Sequence, residues 1–186
     1  FVVSCDLIEE YVFRLAIRVV REAGLAAALA EGGTATEIAM RAGLDPVAGP
    51  ALADWLLRLL AERGAIARLD GVPARFRSSG PLPDLDPAEV ERAQAVHDAA
   101  ALPSFRLADL AAEGYPPVMR GETSGESVLF AADRVAAWSE YFSNQNPLYA
   151  ISNRIGARAV RARFPHPRGT LLEIGGGFGS GTAALL

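Results

Sequence analysis

The segment that most restricts this chain lies near its C-terminal end, at Thr170-Leu-Leu-Glu-Ile174 followed by Gly175-Gly-Gly-Phe-Gly-Ser-Gly181 and an apolar helix start. A short apolar run predicts a buried strand, and the glycines let a ligand approach the backbone closely where the strand gives way to a helix. Such an arrangement belongs at the carboxyl edge of a parallel sheet, so at least this end of the chain is predicted to enter an α/β core. Two familiar ligand classes are excluded by the residues themselves. A phosphate loop needs a lysine before its Ser or Thr, and here Gly181 runs directly into Thr182. The dinucleotide fingerprint needs Gly or Ala three residues after its second glycine; counting from Gly175 and Gly177, that position is Ser180.

Composition removes further classes. All 18 basic residues are arginine, so no lysine is present for a Schiff base or a kinase-type site. The net charge of −4 does not fit a general nucleic-acid binder. Cys5 stands alone, and His97 and His166 are the only histidines, which leaves neither an intrachain disulfide nor a cysteine-based zinc cluster, and no metal site is predicted. No apolar run reaches membrane-spanning length and no signal-peptide pattern opens the chain, so a cytoplasmic protein that does not engage membranes is expected. The chain begins at Phe1 and stops within an apolar helical pattern, so both ends read as cut.

The remainder is predicted to be mainly helical. Leu7, Tyr11, Leu15, Val19 and Val20 recur at helical spacing within a stretch from about Asp6 to Ala30 that Gly24 loosens. Thr34 and Glu37 have the spacing of a capping box for a short helix, and Asp45-Pro46 opens a longer one carrying Leu52, Leu56, Leu59 and Leu60 up to Gly64. Asp70-Gly71, flanked by Ala65–Leu69 and Ala74–Phe76, signals a hairpin. That order resembles a winged helix. The reading helix of such a unit would be Pro46 to Arg63, whose polar residues Asp54, Arg58, Glu62 and Arg63 balance in sign, so a lid or dimer interface is the favoured role over DNA binding. A proline-rich break at Pro81–Pro87 follows. Helices are then expected over Ala88–Leu102, Ser104–Ala112, Glu126–Phe142 (with Val128, Leu129, Ala132, Val135 and Ala136 inward) and Pro147 to about Phe164. The boundaries are residues 1–82 for the helical, winged-helix-like region, 83–168 for a helical lid, and 169–186 for the start of a Rossmann-like core.

With phosphate and dinucleotide set aside, the pattern Glu173-x-Gly175-x-Gly177-x-Gly179 resembles motif I of the class I S-adenosylmethionine-dependent methyltransferases. The layout of a helical region, further helices and then motif I is similar to small-molecule O-methyltransferases. The stretch Arg120-Gly-Glu-Thr-Ser-Gly-Glu126 through Trp138–Tyr149 looks closer to the C-methyltransferase domains of modular polyketide synthases. The resemblance implies S-adenosylmethionine as cofactor, its amino-acid end against Gly175, Gly177 and Gly179 and its ammonium received by Glu173. It also implies an acyl chain on an acyl carrier protein as substrate and methylation at its alpha carbon. Some relatives are metal-assisted, through ligands placed after motif I. The acidic residue that binds the ribose hydroxyls in such enzymes lies beyond Leu186, so the chain is expected to be catalytically incomplete by itself. Two alternatives accompany this reading: a non-catalytic methyltransferase-like adapter of a polyketide synthase loading module, and a stand-alone O-methyltransferase.

Other residues are assigned more loosely. His97 beside Asp98 is a candidate general base for removing a proton from the alpha carbon, and otherwise an ordinary partly buried or surface histidine. His166, between two prolines, reads as exposed. Trp138, Tyr141, Phe142 and Tyr149 are core residues or line an acyl or cofactor pocket; Tyr149 is the best candidate, because its helix leads into the first core strand. Asn144, Gln145 and Asn146 are substrate-carbonyl binders or turn formers, and Arg154 and Arg158 a solvated face or a contact for a carrier protein. A homodimer is compatible with this layout.

Overall fold

A helix with a wide apolar stripe has to bury that stripe against partners. The first helix, α1 (Val2–Glu22), is of this kind: Tyr11, Phe13, Leu15, Ala16, Ile17, Val19 and Val20 are all buried, while Asp6, Glu9, Arg21 and Glu22 stay exposed. In the computed structural model, which describes residues 1–165 and 172–186, four other helices pack on it. They are α2 (Leu25–Glu31), α4 (Ala48–Glu62), α5 (Pro87–Asp98) and α6 (Leu102–Met119). Gly24, at φ +75°, turns the chain from α1 into α2, a conformation that a side chain would disfavour.

The predicted capping box forms as two reciprocal bonds. Glu37 N–H donates to Thr34 Oγ1 (3.2 Å) and Thr34 N–H donates to Glu37 Oε2 (2.8 Å), which starts α3 (Ala35–Arg41). The Thr34 N–H holds the Glu37 carboxyl below its ordinary range, with Arg75 at 3.3 Å adding to the effect. Asp45 Oδ1 accepts from the N–H groups of Val47 and Ala48, so α4 starts just after the predicted Asp45-Pro46. Its buried stripe is Ala53, Leu56, Leu57 and Leu60, while Leu52 and Leu59 flank it partly covered.

The hairpin signal corresponds to β2 (Ala67–Leu69) and β3 (Arg75–Arg77), antiparallel with Arg68 opposite Phe76. A two-residue strand, β1 (Gly33–Thr34), pairs with the other side of β3, giving the order β1-β3-β2. Phe76, on the central strand, is fully buried. The proline-rich stretch then crosses α1 under arginine clamps: Arg21 donates to the carbonyls of Leu82 and Pro83, and Arg14 to that of Asp86. Val90 of α5 and Phe105, Ala112 and Met119 of α6 join the same core as α1, α3 and α4.

Two expectations need correction. Helix α6 does not stop near Ala112 but runs through Pro116 and Pro117 to Met119, whose side chain is fully buried and whose carbonyl accepts from Asp45 N–H (2.9 Å). Nor is Glu126–Phe142 one helix. It divides into α7 (Gly125–Leu129), a 3-10 turn at Ala132–Arg134, and α8 (Val135–Tyr141). The indole N–H of Trp138 donates to the Leu129 carbonyl (2.6 Å) and folds α7 back over α8, so Ala132, Val135 and Ala136 face outward. Val128 sits against Gly114 of α6, where a Cβ would have no room. Two last helices, α9 (Pro147–Arg163) and α10 (Ser180–Leu185), pack on each other. Among the described residues no helix is long and apolar enough to cross a membrane.

Candidate functional site

Alternate residues of the glycine segment are left-handed: Gly175 at φ +76°, Gly177 at +51° and Gly179 at +74°. Side chains at these three positions would strain the backbone. Gly179 N–H donates to the Gly176 carbonyl (2.7 Å) and closes the turn that leads into α10. A Cβ built on Gly175 or Gly179 would meet no atom within 4 Å, so the loop presents open backbone on that side. The Glu173 carboxylate lies over the first turn of α10. Thr182 Oγ1 donates to its Oε2, and a Cβ on Gly181 would come within 3.1 Å of its Oε1.

The expected strand over Thr170–Ile174 is not seen in its described part. Thr170 and Leu171 lie outside the described residues, as does His166. Leu172 and Ile174 are unpaired, with exposures of 82% and 88%. An isolated strand has no hydrogen bonds of its own, and no strand among the described residues lies beside it.

The loop is held against α8 and α9 by three ties that the sequence did not reveal. Asn144 Nδ2 donates to the Ser180 carbonyl (2.7 Å), and Asn153 Nδ2 in turn donates to Asn144 Oδ1 (2.9 Å). Arg161 donates to the carbonyls of Ala184 (3.2 Å) and Leu185 (2.7 Å) at the far end of α10. The ring of Phe178, between two left-handed glycines, stacks on Phe142 at 5.6 Å and 24°. Tyr149 meets the same Phe142 edge-on at 5.0 Å, so it stands one ring from the loop.

The other candidates are spread out. Asn146 is buried and fully engaged: Oδ1 caps α9 at Leu148 N–H, while Nδ2 reaches Ser104 Oγ and the Tyr141 carbonyl. Gln145 is exposed and lines, with Arg106 and Glu140 (ion-paired at 3.0 Å), a polar groove of about 410 Å³. His97 is exposed near the end of α5, with no hydrogen bond or ion pair among the described residues. Arg154 and Arg158 are exposed on α9. Among the described residues no group of three His, Cys, Asp or Glu could hold a metal ion.

No family model matches the chain, and no curated protein matches it. Solved structures do, among them two carbon methyltransferases. The CurJ carbon methyltransferase superposes with a TM-score of 0.76 at 19% identity, over 97% of this chain and 48% of that one. The DszA carbon methyltransferase gives 0.70 at 27% identity, over 98% of this chain and 47% of that one. The chain therefore spans about half the length of each. Over both its helical region and its glycine loop, it resembles the class I S-adenosylmethionine-dependent methyltransferases, and among them the C-methyltransferase domains of polyketide synthases.

Proposed function

We propose that this chain is the helical N-terminal part and first core segment of an S-adenosylmethionine-dependent methyltransferase of polyketide biosynthesis. Its substrate in this reading is an acyl chain on an acyl carrier protein, methylated at carbon. The observation that carries the proposal is the series of left-handed glycines behind Glu173, in a chain with the fold of carbon methyltransferases. Residues 1–82 and the lid over 83–168 are the scaffold, and 169–186 are the entry to the cofactor core.

The residues present fit this cofactor. The glycines expose open backbone where an uncharged or zwitterionic ligand end can lie close, and they provide no lysine for a pyrophosphate. The Thr182 hydroxyl occupies Glu173 Oε2 and fixes the carboxylate; Oε1 accepts no hydrogen bond from the described residues and is the acceptor assigned to the ammonium. Tyr149 is assigned to the cofactor side through its packing on Phe142. When bound, S-adenosylmethionine supplies an electrophilic methyl group on a sulfonium. His97 is the chain's candidate base, and the reading does not depend on it. Arg154 and Arg158, exposed on α9, are the basic side chains nearest in character to what an acidic carrier protein would meet.

Titration of S-adenosylmethionine into the complete protein, wild type and Gly177→Val, tests the placement. A Cβ at Gly177 has only the Gly175 carbonyl near it, at 3.9 Å, so the strain of a side chain at φ +51° stays within the exposed loop, and the helical body should melt within a few degrees of the wild type. Cofactor affinity should fall at least about a hundredfold, as expected when a side chain fills the space the backbone must leave open. Equal affinity in the two proteins would remove the loop from the cofactor site. A wild type that binds no cofactor would instead favour the non-catalytic adapter.

A further inference from the structure

Glycines make the loop permissive, so something else has to fix where it sits. Four rings form one continuous stack that ends on it. Phe130 lies on Trp138 at 5.4 Å and 9°, Trp138 on Phe142 at 5.4 Å and 17°, and Phe142 on Phe178 at 5.6 Å and 24°. Tyr141 stands edge-on to Trp138 (89°) and Tyr149 edge-on to Phe142 (76°), the arrangements that ring quadrupoles favour. Trp138 and Phe142 share a face because they are four residues apart on one helical turn, and the indole bond to the Leu129 carbonyl locks the Trp138 ring. Phe178 comes from a distant part of the chain, flanked by Gly177 and Gly179, neither of which restrains it.

The segment that supplies the first three rings is held without buried residues of its own. Neither α7 nor α8 contains a fully buried residue. The two ends of the stack, Phe130 at 64% exposure and Phe178 at 51%, are themselves half open. Segments with so few buried contacts open locally at low cost. The stack is therefore one fastening of α7–α8, beside the seat of Val128 on Gly114 and the Arg106–Glu140 pair, and it is also one of the three ties on the loop.

We propose that Phe178 is a positioning residue, and that the Phe130–Trp138–Phe142–Phe178 stack couples the order of α7–α8 to the glycine loop. An ordered α7–α8 segment holds the loop in its binding form. By reciprocity, a ligand that orders the loop also orders α7–α8. The second statement rests on the cofactor reading of the loop given above; the first does not.

Trp138 stacks on Phe142 and not on Phe178, so its removal reaches the loop indirectly, through the segment that carries Phe142. In the complete protein without cofactor, Trp138→Ala should speed amide hydrogen exchange in the peptide 176–180 by about three- to tenfold, the scale of one aromatic pair. Trp138→Phe, which keeps a ring in the stack but loses the indole bond to Leu129, should lie closer to the wild-type rate than Trp138→Ala. The same Trp138→Ala variant should bind S-adenosylmethionine more weakly by a similar factor, and cofactor should slow exchange over 125–142 in the wild type. Unchanged exchange at 176–180 in Trp138→Ala, with faster exchange confined to 125–142, overturns the coupling whatever the cofactor result. A wild type that binds no S-adenosylmethionine defeats the cofactor reading alone, and the exchange data still decide the stack. Should Trp138→Ala show no melting transition, Phe178→Ala replaces it, since its half-exposed ring leaves no core cavity. That variant should speed exchange at 176–180 at an unchanged melting temperature; an unchanged rate counts against the proposal.

Discussion

The body formed by α1 to α6 and the segment from α7 to α10 are built on different physical terms. In the body, Ile38, Leu57, Phe76 and Phe105 are fully enclosed, and α1 is packed against four other helices. In the second region α7, α8 and α10 bury no residue completely, and stacked rings and side-chain bonds to backbone carbonyls do the holding. Burial of apolar surface gives a platform whose opening costs most of its folding free energy, whereas edge contacts of this kind permit local opening. The glycine loop sits on the second kind of structure while being aimed by the first, through α9 and its cap Asn146, which is bonded to Ser104 of α6. A loop with the cofactor role proposed above would need that division, because it has to be positioned and still be able to yield.

The largest expected effect tests the platform. Phe105 of α6 is fully buried and packs on Tyr11 of α1 with ring centroids 4.7 Å apart. Phe105→Ala should lower the unfolding free energy by about 3–5 kcal/mol, from lost transfer energy and the cavity left between two helices. Urea denaturation followed by far-UV circular dichroism measures it. A loss below about 1 kcal/mol would show that α6 does not belong to the same core as α1, and the contrast between the regions would collapse.

A smaller effect follows from the proton that joins these helices. Tyr11 hydroxyl donates to Asp109 Oδ2 (2.7 Å), and Arg18 stands 3.8 Å from the other carboxylate oxygen. Burial first, and then the Asp109 carboxylate, raise the Tyr11 pKa well above its ordinary value. The folded body thus keeps a proton that the unfolded chain releases near pH 10, so this stabilisation is fully present below about pH 10 and is lost as pH rises further. Tyr11→Phe should cost about 1.5–3 kcal/mol at pH 7, the worth of a hydrogen bond to a charged group, and should flatten the decline in stability above pH 10. A residual decline should remain from Tyr115, whose pKa burial also raises. An identical alkaline profile in wild type and variant would place the titrating group elsewhere.

These two regions also differ in how legible they are from sequence. The capping box of Thr34 and Glu37, the Asp86-Pro87 start of α5 and the turn at Gly24 are local: the residues that specify each lie within a few positions of one another. The glycine series is legible for the same reason, since positive φ is a property of single residues. What was misread depends on distant partners. Periodicity alone joins 126–142 into one helix, and only the Trp138–Leu129 bond and the seat of Val128 against Gly114 divide it. Local propensity ends α6 before Pro116, and the burial of Met119 together with the Asp45 bond overrides it. Neither the docking of Phe178 on Phe142 nor the tie from Asn144 to Ser180 leaves any spacing to find.

The smallest expected effect sharpens the contrast most, because it sets one residue type in the two regions side by side. Ile38 is fully buried on α3, while Ile174 is 88% exposed just before the glycine series. Ile38→Ala in the chain of residues 1–186 should cost about 2–5 kcal/mol, and Ile174→Ala should stay within about 0.5 kcal/mol, since almost no apolar area leaves water at that site. Both are read from the same urea transitions. A cost above about 1 kcal/mol for Ile174→Ala would mean that residues 172–174 pack on something in solution, and that the second region is not held by edge contacts alone. The proposed function adds a second measurement. In a protein that carries a whole methyltransferase core, residues 172–174 become a strand between neighbours, and the same Ile174→Ala change should then cost as much as Ile38→Ala. The rise from nearly nothing to several kcal/mol at one residue would show that the apolar pattern before Gly175 is a sheet position awaiting its neighbouring strands.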